Sequence, residues 1–161
     1  MKKQRAFLKW AGGKTQLIEQ IRIQLPKEIK DNEFTYIEPF VGSGAVLFWL
    51  LNNYPNLKKA VINDINSDLI NCYKTIKKDV ENLISILAEW QTEYHSFKQD
   101  EEKKKVYYYD KRSLFNERTC DQTTQSAIFI FLNRTCFNGL YRVNRKNEYN
   151  VPMGGYKKPL I

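Results

Sequence analysis

The stretch FTYIEPFVGSGAVLFWLLNN, residues 34–53, predicts a strand, a glycine-rich turn and a helix in that order. Its first seven residues have the length and apolar composition of a short buried strand, closed by a proline and two glycines. Residues 45–53 are apolar on most sides of a helix, so we expect that helix to be buried. In open α/β folds, a turn at the carboxyl edge of the sheet is where ligands bind.

The neighbouring segments extend this pattern. Residues 15–25 place apolar side chains at helical spacing and end before Pro26. Residues 58–64 predict a second strand that ends in an acid, and residues 67–87 predict another helix. Because strands and helices alternate, we expect an α/β fold with a parallel sheet.

The pattern changes in the second half of the chain. Residues 88–120 are charged and aromatic without a clear strand, and residues 125–134 suit a helix or a strand, of which we favour the helix. Residues 140–151 alternate on either side of a short polar turn and predict a β-hairpin. We therefore predict one domain over residues 1–78 and a mainly helical second domain over residues 79–161.

Composition argues against a membrane protein. The longest apolar runs, Ala45–Leu51 and Ala127–Leu132, fall far short of the about 20 residues that span a bilayer. The N-terminus is charged and has no apolar core of signal-peptide length. We therefore expect a cytoplasmic protein with no membrane partner.

The cysteine and histidine content argues against a metal site. The three cysteines, Cys72, Cys120 and Cys136, are odd in number and not spaced as Cys-x-x-Cys, so we expect reduced thiols. The single histidine, His95, lies in a polar stretch, where we expect it to be solvated. A zinc hydrolase or a histidine-based triad is hard to build from these residues.

The distribution of charge favours a polyanionic partner. The formal net charge is +8, and residues 134–161 hold six Lys or Arg and one acid. Aromatic and amide side chains suited to base contacts lie among these charges: Phe137, Asn138, Tyr141, Asn144 and Tyr149. Basic charge interleaved with aromatic groups suits nucleic acid better than a lipid surface.

The glycine turn, residues 38–44, has the features of a nucleoside-cofactor site. Twenty residues after Gly44 comes Asp64, an acid placed at a strand end to accept hydrogen bonds from ribose hydroxyls. The third glycine of a dinucleotide motif is replaced by Leu47. S-adenosylmethionine (SAM) has a cationic sulfonium and no phosphate, and Glu38 would be a second nearby acid. On this motif alone, SAM, a dinucleotide and a turn without ligand all stay open.

A second glycine turn lies near the N-terminus. Residues 11–15, AGGKT, resemble the end of a Walker A loop, but Leu8 stands where the first glycine of that loop is required. We therefore reject binding of a nucleoside triphosphate. A Gly-Gly turn at a helix start, with Lys14 beside it, could hold a carboxylate such as the methionine tail of SAM. Trp10 could pack on a ligand or lie in the core.

Five blocks of sequence occur in a fixed order: FLKWAGGK (7–14), EPFVGSG (38–44), NDINSDLI (63–70), NR followed by FNGLYR (133–142), and YNVPMGGYK (149–157). With these blocks the chain resembles the Dam family of adenine-N6 DNA methyltransferases, the D12 class that includes the bacterial GATC enzymes and phage relatives. The resemblance covers essentially the whole chain. It implies part of a Rossmann-like SAM-dependent methyltransferase sheet, plus a mainly helical DNA-recognition domain with a β-hairpin.

The resemblance also implies an activity and its partners. The expected reaction is methyl transfer from SAM to N6 of adenine in double-stranded DNA, within GATC, by a protein that is a monomer and needs no metal. The expected cofactor-binding residues are those that match the family's SAM pocket: Trp10, Lys14, Glu38, Phe40, Gly42, Gly44 and Asp64.

Further residues are implied to contact DNA. Lys9 would lie at the DNA edge of the pocket, Phe137 would insert between bases, and Asn138 would touch neighbouring groups. Leu140 and Arg142 would read the outer base pairs, because an arginine fork pairs bidentately with guanine. Phe137 as a core aromatic and Arg142 as a phosphate contact are the alternatives. The remaining expected DNA contacts are Arg134 and Asn144.

The family's catalytic tetrapeptide, Asp-Pro-Pro-Tyr, does not occur in the 161 residues, so no catalytic residue is assigned. We therefore expect these residues to be a fragment or truncated product with little activity of their own. A non-catalytic protein that binds SAM and DNA is one alternative. An amino-methyltransferase acting on cytosine N4 or on RNA is another.

Overall fold

The computed structural model describes residues 3–161, which form two compact units. The first unit extends to Asn66, and the second is Ser67–Ile161. The boundary that the sequence places near residue 78 concerns functional domains, and it stays a prediction.

The first unit is a strand–helix–strand unit preceded by short helical turns. The helix predicted over residues 15–25 is shorter in the structure, because the chain enters it through a 3₁₀ turn with no side-chain cap. Its elements in chain order are a 3₁₀ turn at Lys14–Leu17, α1 at Ile18–Gln24, a 3₁₀ turn at Lys27–Lys30, β1 at Phe34–Glu38, α2 at Ala45–Asn53 and β2 at Leu57–Ile62.

The two strands form a parallel pair, as predicted, with Ile37 opposite Val61 and Glu38 opposite Ile62. A parallel pair needs a crossover, and α2 supplies it. Helix α2 begins after Gly44, whose φ of 80° lies in the left-handed region that favours glycine. The predicted burial of α2 is confirmed, since Val46, Leu47 and Leu50 are all buried.

The second unit is built from four long helices and a loop-rich end. The helix predicted over residues 67–87 is interrupted at Asp79, whose backbone leaves the helical region (φ −148°, ψ 44°). The Asp79 carboxylate accepts a hydrogen bond from the Thr123 hydroxyl at 2.6 Å, a contact that the local sequence does not reveal. The helices are α3 at Ser67–Lys78, α4 at Val80–Ser96, α5 at Glu101–Glu117 and α6 at Gln122–Thr135.

Helix α6 is the core of this unit, and the preference for a helix over residues 125–134 is confirmed. Eleven of its fourteen residues are buried, because α3, α4 and α5 all pack against it. Its polar groups find partners: the Ser126 hydroxyl lies 2.9 Å from the Thr75 hydroxyl. The rings of Trp90 and Tyr94 pack edge-on against Phe131.

The predicted hairpin is a tight chain reversal with a single antiparallel bridge, between Val143 and Tyr149. The backbone N–H of Asn144 donates to the Glu148 carbonyl at 2.9 Å, and that of Asn150 donates to the Arg142 carbonyl at 3.1 Å. The bridge does not grow into regular strands within the described residues.

The three cysteines are free thiols, as expected. Cys72 and Cys136 are buried, whereas Cys120 is half-exposed. His95 differs from its expected solvated state: it is half-buried, and its Nε2 lies 2.8 Å from the Pro159 carbonyl oxygen. None of the helices within residues 3–161 is both long and apolar enough to cross a membrane.

Burial makes stability sensitive to alkali. It raises the pKa of the Cys72 thiol to about 12. An unfolded cysteine loses its proton near pH 8.5, so the stabilisation is complete below that pH and is lost as the pH rises toward the folded pKa. We expect the free energy of unfolding, measured with urea in reducing buffer, to fall by about 2 kcal/mol between about pH 8 and pH 10.5. Cys72→Ala should flatten this decline, and an equal decline in both proteins would contradict the assignment.

Candidate functional site

The glycine turn after β1 is tied to the loop after β2 by one carboxylate. Asp64 Oδ2 accepts the backbone N–H of Gly42 at 3.0 Å, and Oδ1 accepts that of Asn66, also at 3.0 Å. The two features that the sequence singled out, the turn and the following acid, therefore lie together. Each carboxylate oxygen keeps a further lone pair for another donor.

Backbone hydrogen bonds hold the turn at the end of the sheet. The N–H of Asn63 donates to the Glu38 carbonyl, and the N–H of Val41 donates to the Asn63 carbonyl, both at 2.9 Å. Gly42 has a φ of 52°, which a side chain would strain. A Cβ at Gly42 would also lie 3.2 Å from Cδ1 of Trp10, so the indole ring lies directly against this turn.

Lys14 and Glu38 form a charged pair beside the turn. Lys14 Nζ lies 3.2 Å from Glu38 Oε1 and also donates to the Phe40 carbonyl oxygen. Glu38 is only 6% exposed, and within residues 3–161 its second oxygen, Oε2, makes no hydrogen bond of acceptable geometry. Burial, followed by the nearby Glu38 carboxylate, raises the pKa of the Tyr36 hydroxyl above its usual range. A buried carboxylate oxygen in this state suits an additional N–H or cationic donor.

Two apolar side chains near the turn are open to solvent. Phe40 is 71% exposed and Ile65, next to Asp64 in the chain, is 96% exposed. Trp10 is half-exposed. Exposed apolar groups around a polar turn are typical of a binding surface.

The predicted DNA contacts lie in both units. Lys9 is exposed in the first unit. In the second unit Phe137 is 51% exposed, so it is not a core aromatic. Arg134, near the end of α6, is half-buried, and its burial lowers the pKa of the guanidinium. Asn138 and Leu140 are exposed.

The segment around Phe137 is held by the chain that follows the hairpin. The Phe137 N–H donates to the Pro152 carbonyl at 2.9 Å, and the Gly154 N–H donates to the Thr135 carbonyl at 2.8 Å. Cys136 and Met153 form an antiparallel bridge. These contacts fasten together the two ends of a segment, residues 135–154. We call it the recognition segment because it contains most of the predicted DNA contacts.

Arg142 and Asn144 both have partners inside the hairpin. Arg142 is exposed, and its Nε donates to Asn150 Oδ1 at 2.7 Å, which leaves other guanidinium donors for a ligand. Asn144 Oδ1 accepts the backbone N–H groups of Lys146 and Glu148, so this side chain organises the turn. The DNA contact assigned to Asn144 stays a prediction.

One buried carboxylate, Asp68, has no role predicted from the sequence. Asp68 was quoted within the block NDINSDLI, yet it is a buried carboxylate with two side-chain partners, Arg118 and Tyr141. An acid in the first turn of a helix is common at surfaces, so the sequence carries no signal of this contact. No group of three or more potential metal-ligating side chains occurs within residues 3–161.

Comparison with protein families identifies the class. Residues 10–161 match the family described as D12 class N6 adenine-specific DNA methyltransferase. The chain belongs to this family, and the resemblance drawn from its five sequence blocks is confirmed.

Individual relatives support this assignment of family. The chain is 56% identical over 158 residues to the Type II methyltransferase M.MjaIII of Methanocaldococcus jannaschii, covering 96% of this chain and 54% of that protein. It is 42% identical over 159 residues to a DNA adenine methylase of Vibrio cholerae, covering 99% of this chain and 51% of the relative. It is 40% identical over 156 residues to the DNA N-6-adenine-methyltransferase of Escherichia phage P1, covering 97% of this chain and 18% of that protein. The chain thus spans about half the length of the first two.

Proposed function

We propose that the protein transfers a methyl group from SAM to N6 of adenine in duplex DNA, within GATC, acting as a monomer in the cytoplasm. The first unit would supply the cofactor site and the second would supply the groups that read DNA. The observation that carries the proposal is the Asp64 carboxylate, which holds the glycine turn through Gly42 and keeps lone pairs for ribose hydroxyls.

The charges beside the turn fit the amino-acid tail of SAM. Glu38 Oε2 is a buried acceptor that the tail's ammonium group would satisfy. Lys14 Nζ, 3.2 Å from Glu38 Oε1, would pair with the tail's carboxylate. Trp10, whose ring lies against Gly42, would provide an apolar wall.

The helix after the turn favours SAM over a dinucleotide. Leu47, at the third glycine position of a dinucleotide motif, is buried on α2. A side chain of this size prevents the close helix approach that a pyrophosphate turn uses. The turn therefore suits a nucleoside cofactor without phosphates.

Reading of DNA is proposed for the recognition segment. A methyltransferase must first extrude its target base, at a cost of a few kcal/mol. Phe137, half-exposed on a fastened backbone, would fill the space between bases. Arg142 would present its remaining N–H donors to guanine.

Bound SAM would supply an electrophilic methyl group on its sulfonium. As the bond from N6 to the methyl carbon forms, the methyl–sulfur bond breaks, a neutral thioether leaves, and N6 of adenine gives up a proton. The residues assigned here bind and orient the two reactants, and effective positioning accounts for much of the acceleration in such transfers. No residue of the chain is assigned as catalytic.

Methyl transfer from labelled SAM tests the proposal. We expect a protein that carries these residues together with the family's Asp-Pro-Pro-Tyr tetrapeptide to place label in a duplex containing GATC, recovered as N6-methyladenine by mass spectrometry, and none in a duplex whose GATC adenines are already methylated. Residues 1–161 by themselves should transfer little label. Label on cytosine or on RNA would contradict the proposed substrate. Binding of SAM and duplex without any transfer would instead support the non-catalytic alternative.

A further inference from the structure

An ion pair between a buried carboxylate, Asp68, and an exposed arginine, Arg118, lies in the second unit, and the Tyr141 hydroxyl joins a third element to it. Asp68, in the first turn of α3, is 7% exposed. Arg118, at the end of α5, donates to it bidentately: Nη2 lies 3.0 Å from Oδ2, and Nη1 donates to Oδ1. The Tyr141 hydroxyl donates to the same Oδ2 at 3.1 Å. We call these residues the Asp68 cluster.

The geometry of the cluster is well determined. The Arg118 guanidinium stacks on the Phe115 ring, with its central carbon 4.1 Å from the ring centroid. A bidentate arginine–carboxylate pair fixes the direction of both groups, because two parallel hydrogen bonds allow only one relative orientation. Such a pair is weak evidence for a gain in stability, and its relevance here is to the direction of the Asp68 carboxylate.

Tyr141 is the link between the cluster and the hairpin. Its ring packs against Phe129 of α6 at 5.4 Å and against Tyr149 at 5.8 Å between centroids. The Tyr149 hydroxyl in turn donates to the Leu140 carbonyl at 3.0 Å. Asn116 receives the Tyr149 N–H and donates to its carbonyl, which holds the other side of the hairpin.

Fixing Tyr141 decides where its neighbours point. In extended backbone, successive side chains point to opposite sides. Leu140 and Arg142 are exposed, whereas Tyr141 between them is half-buried. A shift of the Tyr141 hydroxyl away from Asp68 would therefore reorient both exposed side chains.

Asp68 and Arg118 also line a polar cavity of about 460 Å³ together with Asn147 of the hairpin turn. The cluster thus faces the hairpin at its turn as well as at Tyr141. The contact between the Tyr141 hydroxyl and Asp68 would hold the hairpin at one angle to the helices.

We propose that Asp68 is a positioning residue for DNA sequence discrimination, acting through Tyr141 on Leu140 and Arg142. The inference rests on the proposed DNA-reading role of the recognition segment. Asp68 does not touch the substrate in this arrangement, and its effect is on the direction of the reading side chains.

Two conservative variants test this role. Asp68→Asn keeps the size of the side chain and removes the charge that holds Arg118, and Tyr141→Phe removes one hydroxyl and keeps the ring. We expect each to reduce the ratio of affinities for GATC duplex and for a duplex altered at an outer base pair, measured by fluorescence anisotropy, by about tenfold, the scale of one bidentate base contact. The double variant should lose little more discrimination between the two duplexes than Asp68→Asn alone, because both changes break the same chain of contacts.

The matched control is Tyr107→Phe. Its hydroxyl donates to the exposed Glu93 carboxylate at 2.8 Å, so the same chemical change is made on α5, away from the hairpin. The control should keep the wild-type ratio. SAM affinity and binding to non-specific duplex should also stay unchanged in Asp68→Asn and Tyr141→Phe, which a general loss of folding would not permit.

The outcomes separate this inference from the proposed function. A wild-type protein that does not discriminate between the duplexes overturns the proposed DNA-reading role itself. A wild-type protein that discriminates, with Tyr141→Phe equal to it, overturns the role of the Asp68 cluster. If Asp68→Asn fails to fold, Tyr141→Phe alone decides.

Discussion

Replacing Gly154 with alanine is expected to destabilise the protein by about 2–4 kcal/mol and to separate the two ends of the recognition segment. A Cβ at this position would lie 2.6 Å from the Cys136 carbonyl oxygen and 2.9 Å from its carbon. Both atoms belong to the backbone, so no side-chain rotation relieves the clash. The chain at 154 must therefore move away from Cys136.

That movement would break the contacts that fasten the segment. The Gly154 N–H donates to the Thr135 carbonyl at 2.8 Å, and the Cys136–Met153 bridge is adjacent. Phe137 and Leu140 would then lose their fixed directions. We expect affinity for GATC duplex, measured by fluorescence anisotropy, to fall by at least about tenfold along with the midpoint of urea unfolding.

The neighbouring glycine is the matched control. A Cβ at Gly155 would meet no atom within 4 Å, so Gly155→Ala should change the free energy of unfolding by no more than about 0.5 kcal/mol. Equal unfolding midpoints for the two alanine variants would show that a Cβ at position 154 does not clash with the Cys136 backbone, which would contradict this prediction.

The second large effect is expected at Asp64. Asp64→Asn replaces one carboxylate oxygen by an amide nitrogen. That nitrogen is a donor, and it would face the backbone N–H of Gly42 or Asn66, which is also a donor. Hydrogen bonds to a charged acceptor contribute about 1.5–3 kcal/mol, so loss of one such bond, together with the proposed ribose contact, should weaken SAM binding by at least about fiftyfold. Isothermal titration calorimetry measures this directly.

Asp31→Asn provides the comparison, because Asp31 is an exposed carboxylate of the same unit that follows the 3₁₀ turn at Lys27–Lys30. Its SAM affinity should equal that of the wild type. Should Asp64→Asn bind SAM as tightly as Asp31→Asn, the pocket does not include the acid after β2, and the cofactor site would have to be sought elsewhere.

Several elements were predictable because their signals are local. β1, α2 and β2 follow from apolar runs and turn residues, and the presence of each is confirmed. The predicted burial of β1 is wrong: Thr35 and Ile37 are exposed, because the sheet has two strands within residues 3–161. The proximity of Asp64 to the glycine turn was also predictable, since the carboxyl ends of parallel strands meet at one sheet edge. The assignment of family rested on ordered blocks of residues and is likewise confirmed.

Other features were not predictable. The break at Asp79 depends on the Thr123 hydroxyl, 44 positions away, and helical periodicity continues across it. The Asn144 side chain accepts two backbone N–H groups of its own turn, which residue type did not reveal, and its DNA contact stays a prediction. Such contacts depend on which groups folding brings within about 3 Å, and residue type alone does not reveal that.

The sequence by itself determined the α/β order of the first unit, the helical second half and the family, because hydrophobic periodicity and turn residues act over a few positions. Only the tertiary structure decided that Oε2 of Glu38 is buried with no hydrogen bond of acceptable geometry within residues 3–161, and that Asp68 holds Arg118 and Tyr141. Electrostatic contacts of this kind join residues 50 and 73 positions apart. Their strength comes from burial, which packing creates and which no local pattern encodes.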